Sequence, residues 1–161
     1  MIVVLFVFAT IFWAGFEQAP TSLNLFAHDF TNRTVFGWEV PTLWLQSAES
    51  FFVITLAPVF AWIWVALARR RLDLSSPTKF AIGLAFAGVS FVVMLVASNR
   101  IVASAGVGEV VHVSMWWLVI CYMFQAFGEL SLSPVGLSSM TKLAPRRFVG
   151  QMMGIWFLAD A

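Results

Sequence analysis

Four polar side chains, Tyr122, Gln125, Glu129 and Ser133, recur at spacings of three, four and four within an otherwise apolar run, VSMWWLVICYMFQAFGELSLSPVGLSSM from Val113. At about 100° per residue they share one stripe of a helix, which Gly136 continues. A stripe of this kind faces an aqueous cavity or a polar partner, with Phe124, Phe127 and Leu130 turned to lipid or to neighbouring helices. Holding an acid such as Glu129 at the centre of a membrane helix costs about 2.5–3.5 kcal/mol, taking Glu to behave like Asp. A second acid, Glu17, lies in FWAGFEQAP, four residues after Trp13 and therefore on the same helix face. That position makes Trp13 a candidate cavity wall. A third acid, Glu49, stands between Gln46 and Ser50 near one end of a further apolar run.

No Lys or Arg falls within these runs. The compensating positive charge must be a proton, a cation on a ligand, or a base from chain outside this sequence. The competing structural reading has the acids hydrogen-bonded to Gln18, Gln125 or backbone opened by nearby prolines, and has Glu49 reaching water at the membrane surface.

The elements that hold these groups follow from composition. Of the 161 residues, 61% are hydrophobic and 11% charged, the balance of a membrane protein. A helix crosses the hydrocarbon layer in about 20 residues. The apolar runs predict spans over residues 2–26, 42–68, 77–97 and 113–141, and an incomplete one over 148–161. The first run lacks a basic leader and a small-residue cleavage site, so it reads as a mature span and not as a signal peptide. Pro20 should kink or open its helix just past Glu17, Pro58 lies at mid-depth of the second span, and Pro134 interrupts the fourth. Residues 80–97 have Ser90 as their one polar side chain, with Gly83 and Ala87 offering a face for close helix approach. Ser76 can cap this span, with Pro77 in its first turn. The segment 27–41 reads as a polar excursion, and Trp38 and Trp44 stand where interfacial anchors belong.

Charge sets the orientation. Arg69, Arg70, Arg71 and Lys79 share one loop and Lys142, Arg146 and Arg147 another, so seven of the nine cations lie on one side if spans alternate. The positive-inside rule makes loops 69–79 and 142–147 cytoplasmic. Arg33 and Arg100 fall opposite, beside Asp29, Glu39 and Glu109. The single cysteine, Cys121, excludes an intrachain disulfide, and the isolated His28 and His112 do not have metal-ligand spacing. Serine-hydrolase, zinc-hydrolase and phosphate-loop motifs are absent, so no enzyme is expected, and no metal, organic cofactor or nucleic-acid partner.

Three stretches together resemble the proton-coupled oligopeptide transporters of the major facilitator superfamily. FWAGFEQAPTSLNLFA is similar to that family's seventh helix, LQSAESFFVITLAPVFAWIW to its eighth and GELSLSPVGLSSMTKLAP to its tenth, while MMGIWFL from Met152 resembles the start of its eleventh. The resemblance implies an all-α membrane protein, two six-helix bundles around a central cavity, of which this chain supplies the seventh to eleventh helices of twelve to fourteen. It implies import of di- and tripeptides with protons as the coupling ion, in the cytoplasmic membrane. By the same resemblance Glu129 binds the peptide amino terminus and Glu17 pairs with an arginine of the N-terminal bundle in proton coupling. Trp156 lines a side-chain pocket, and Gln125, Ser133 and Tyr122 belong to the cavity with them.

Two departures stand out. The family's eighth helix carries Asn and Pro in a QSxNP stretch where this chain has Glu49 and Ser50, and Pro20 replaces a common glycine. The Glu49 substitution bears on the usual amide contact with substrate, and hence on side-chain preference or proton stoichiometry. The first-helix ExxER motif is not in this chain, so a fragment is expected, inactive without the N-terminal bundle. The alternatives are a facilitator for another small solute, or a structural subunit whose acids dock a partner helix.

Overall fold

Apolar runs of this length in a solvent without hydrogen-bond partners must satisfy their backbone internally, which leaves helices. The computed structural model, which describes residues 2–72, 74–105 and 112–158, has that form. Glu109 and residues 159–161 lie outside the described residues. Helix α1 (Ile2–Phe16) runs through a π turn (Ala19–Leu23) into α2 (Asn24–Asp29), and α3 (Thr42–Arg69), α4 (Ser76–Ala105) and α5 (Trp116–Leu143) follow. A 3-10 turn at Arg146–Phe148 leads into α6 (Val149–Leu158). Four helical stretches, Val3–Asp29, Thr42–Arg69, Ser76–Ser104 and Trp116–Ser139, are long and apolar enough to cross a membrane.

Four of the expected spans are present with shifted ends, and α6 occupies Val149–Leu158 of the incomplete fifth. The first continues past residue 26 to Asp29, and the third runs eight residues beyond 97 to Ala105, because a polar interface does not by itself stop a helix. The fourth starts at Trp116 and not at residue 113, since Val113 and Ser114 pair with another segment. Ser75, one residue before the expected cap, accepts a hydrogen bond at its Oγ from the Thr78 N–H at 3.4 Å.

The three prolines act differently. At Pro20 the ladder changes: the Leu23 N–H reaches back five residues to the Gln18 carbonyl at 2.9 Å, giving the π turn in place of a simple kink. Pro58 and Pro134 sit inside helices that continue past them.

The tightest crossing joins α4 to α5. A Cβ on Gly128 would lie 2.9 Å from the Gly83 carbonyl oxygen and 2.9 Å from Phe12 Cε2, so only glycine permits this approach. Gly83 is equally constrained, by Leu132 Cβ at 2.9 Å and the Gly128 carbonyl oxygen at 3.0 Å. Lipid supplies no hydrophobic force between helices, and close backbone contact of this kind is what holds them. Phe86 adds to the seam by meeting Phe124 and Phe127, and Phe127 also meets Phe60 of α3. Ser90, fully buried, donates to the Ala87 carbonyl at 2.7 Å and is hydrogen-bonded to the Cys121 thiol.

Two buried clusters flank the crossing. Leu5, Ala9, Phe12, Phe80, Leu132 and Trp156 form one, and Ala19, Leu23, Ala27, Leu45, Met94, Leu118, Cys121 and Tyr122 form the other. The loops predicted to be cytoplasmic meet at one end, where a cavity of about 450 Å³ is lined by Leu74, Ser75 and Lys79 on one side and Ser138 and Lys142 on the other. Lys79 Nζ lies 5.2 Å from the centre of the Trp64 ring there.

At the opposite end the polar segment is more ordered than a simple excursion. Short strands β1 (Thr31–Asn32) and β4 (Val113–Ser114) pair in parallel, and β2 (Thr34–Val35) pairs antiparallel with β3 (Trp38–Glu39). Phe36 and Gly37, at φ 50° and 83°, make the hairpin turn. Arg33 clips it, its guanidinium 2.6 Å from Glu39 and 2.9 Å from the Val40 carbonyl. Trp38 and Trp44, both exposed, stack edge to face at 5.4 Å.

Gly128→Ala should lower the thermal unfolding midpoint of the detergent-solubilised protein by an amount equivalent to about 1–3 kcal/mol of overpacking. Gly88→Ala, where an added Cβ meets nothing within 4 Å, should leave it unchanged or slightly higher.

Candidate functional site

The Gly128 contact decides where the next residue points. With Gly128 against α4 and Phe12, Glu129 is rotated by about 100° to another side of α5. It emerges on a cavity of about 300 Å³ lined by Phe16, Glu49, Ser50, Val53, Ile54 and Glu129. Three helices build it: α1 contributes one aromatic wall, α5 one carboxylate, and α3 a whole face. Residues 49, 50, 53 and 54 are neighbours on that face by helical spacing.

Glu49 is the most constrained group in the cavity. Its residue is 8% exposed, and its Oε1 is buried with no hydrogen-bond partner. The negative charges of Glu129 and of Glu17 both act on it. None of the lining residues is basic. Negative charge therefore gathers around the unpaired Oε1 of Glu49, and a cation or proton arriving there meets a preorganised field. Glu17 is next to the lining residue Phe16 and is exposed, not buried; α1 gives way to the π turn immediately beyond it.

The two glutamines that could hold the acids are engaged elsewhere or unpaired. Gln18 spends its amide on the Ala14 carbonyl at 3.3 Å and on Ser22 at 2.7 Å. Neither amide atom of Gln125 has a hydrogen-bond partner.

The polar stripe of α5 divides. Tyr122 and Gln125 are 1% exposed and packed among neighbouring helices, with Tyr122 in the second apolar cluster, whereas Glu129 and Ser133 are partly exposed and Gly136 is buried. Periodicity placed the four on one face correctly. It did not foresee that the upper half of that face is covered by protein. Phe124, Phe127 and Leu130 pack toward neighbouring helices as expected.

Trp13 is half-buried beside the cavity wall, its ring 5.1 Å from Phe16 and 5.4 Å from Phe12, and its Nε1 is buried without a hydrogen-bond partner. Trp156 stands apart from the carboxylates. It fills the space left by Gly136, where a Cβ would fall inside the indole, and meets Phe80 edge to face at 6.1 Å. Phe16, Val53 and Ile54 are cavity residues that sequence reasoning missed; the helical neighbours of Glu49 were the available signal.

The family model described as the POT family matches residues 1–161. The chain belongs to the POT family. Over 158 residues it is 50% identical to the peptide transporter YePEPT of Yersinia enterocolitica, covering 98% of this chain and 30% of that one. It is 37% identical over 153 residues to dipeptide and tripeptide permease B of Aliivibrio fischeri, covering 95% of this chain and 30% of that one. The crystal structure of a peptide transporter POT in complex with sulfate superposes with a TM-score of 0.85 at 44% identity, over 98% of this chain and 30% of that chain. The chain thus spans about 30% of the length of the curated relatives it matches. The helical bundle is that of POT transporters, and this is a membrane protein of a transporter family.

In a Cys121→Ser background of the full-length POT protein, Ser50→Cys and Val53→Cys should react with a membrane-impermeant thiol reagent and Gln125→Cys should not. Comparable labelling of all three, read by mass shift, would place Gln125 on the water-filled side.

Proposed function

We propose that this chain is part of a longer transporter that carries di- and tripeptides across the cytoplasmic membrane together with protons. One observation carries the reading: carboxylates from two different spans line one cavity that contains no base. A peptide presents an ammonium at one end, and Glu129 is the carboxylate that receives it. Glu49 stands across the cavity from Glu129; Ser133, partly exposed one turn further along α5, extends the polar face, and Gln125, one turn before, lies buried behind it. Trp13 and Tyr122 support the wall behind them.

Glu17, just past the end of α1 and before the π turn, is the group we assign to proton coupling. An N-terminal six-helix bundle of the same protein supplies the opposite wall and a basic partner for Glu17. Protons are the only coupling species required; no organic cofactor or metal enters the scheme, and the chemistry is binding and release, not catalysis. Loops 69–79 and 142–147, with seven of the nine cations, face the cytoplasm.

The test is uptake of a labelled dipeptide by the full-length transporter in proteoliposomes, with and without an inward proton gradient. Gradient-stimulated uptake that unlabelled dipeptides compete away is expected. Glu129→Gln should weaken dipeptide binding at least tenfold, about the 1.4 kcal/mol of a lost charge-assisted contact; unchanged affinity would remove its role at the amino terminus. Glu17→Gln should abolish gradient-driven uptake while sparing counterflow exchange. Equal loss of both modes would assign Glu17 to binding or folding instead.

A further inference from the structure

A peptide's single amino terminus can neutralise only one carboxylate, and this cavity holds two. Glu49 and Glu129 line the same space from α3 and α5, and Glu17 adds negative charge from α1. Glu49 is also a built feature and not a surface acid. It is more than nine-tenths buried, and its Oε1 lines up with no donor from the surrounding protein. An unpaired buried acceptor of this kind is costly and is normally matched by a partner.

The surroundings of Glu49 describe that partner. Val53 and Ile54 lie one turn along the same face, with Phe16 across from them, so the approach to the carboxylate is apolar. Ser50 adds a hydroxyl beside it. An apolar track ending in a carboxylate suits a long alkyl stem that carries a cation at its tip, the amphipathic shape of a lysine or arginine side chain. A neutral side chain of the same length would fill the track and leave Glu49 unpaired.

We infer that Glu49 forms a second cation subsite beside Glu129, and that the transporter favours peptides bearing a positively charged side chain over their neutral isosteres. The inference rests on the peptide-transport reading above. In it Glu129 takes the terminal ammonium and Glu49 the side-chain ammonium or guanidinium, so both cavity charges are neutralised by one substrate. An acidic dipeptide adds a side-chain carboxylate to the C-terminal one that every dipeptide carries, and is disfavoured in the same field.

The experiment compares three dipeptides, Ala-Lys, its neutral isostere Ala-norleucine, and Ala-Glu, as competitors of labelled Ala-Ala uptake by the full-length transporter in proteoliposomes. Ala-Lys should inhibit at about tenfold lower concentration than Ala-norleucine, and Ala-Glu should be the weakest. Glu49→Gln, nearly isosteric, should remove the Ala-Lys advantage, so that Ala-Lys and Ala-norleucine inhibit that variant at concentrations within twofold of each other. Glu49→Asp, which keeps the charge, should retain the advantage. A variant that fails to fold would lose uptake of Ala-Ala as well, and Glu49→Asp together with the unmodified protein's own ranking then decides the question.

Robust Ala-Ala uptake with equal inhibition by Ala-Lys and Ala-norleucine would overturn the second subsite and leave peptide transport standing. Equal weakening of both competitors by Glu49→Gln would do the same and reassign Glu49 to a protein-borne base of the other bundle. Absence of uptake for every dipeptide, in protein shown to be folded, would overturn the transport reading and this inference with it.

Discussion

The backbone contact between Gly83 and Gly128 is the constraint on which the arrangement turns. It sets the distance between α4 and α5 and also the rotation of α5 about its own axis, because only the glycine edge of each helix can enter the seam. Phe12 reaches the same point from α1, so three helices are referenced to one place. The adjacent residue, Glu129, inherits its direction from that packing. A side chain that is expensive to hold in a membrane is thus aimed by atoms that carry no charge and make no contact with substrate.

The second organising fact is electrostatic. Acids on three helices act on one another across a cavity whose lining contains no base. A soluble protein could screen such a group with water and salt, but in a bilayer the cost persists until a cation, a proton or an opposing helix arrives. The aromatic residues around the site, Trp13 and Phe16 among them, keep its walls stiff and its dielectric low, which strengthens every charge interaction within.

Much of this was legible in the amino-acid sequence, for reasons that can be stated. Span number follows from run length, because the thickness of the hydrocarbon layer imposes it. The arginine and lysine positions group two basic loops on one side, and these do meet at one end of the bundle. The cavity acids Glu49 and Glu129 stood out in the sequence because an acid in an apolar run has few structural uses. Helix ends were misplaced where polar and apolar residues mix, as at Ala105. The meeting of Glu49 with Glu129 joins helices separated by an entire intervening span, so no local pattern encodes it. Tyr122 and Gln125 show the limit of periodicity: it groups residues on a face without saying what covers the face. The site of Trp156 depends on a glycine, Gly136, that periodicity had assigned to the polar stripe.

The small parallel bridge at the outer end has a bearing on how the molecule is made. Thr31 pairs with Val113 and Asn32 with Ser114, partners more than eighty residues apart along the chain. Such a pairing has high contact order and cannot form while the ribosome is still delivering the second or third span. It closes only after residues 113–114 have been carried to the same side of the membrane as residues 31–32, which requires the intervening crossings to be in place. The bridge therefore closes only once α3 and α4 have crossed, a latch that ties the start of α5 to the end of the first span.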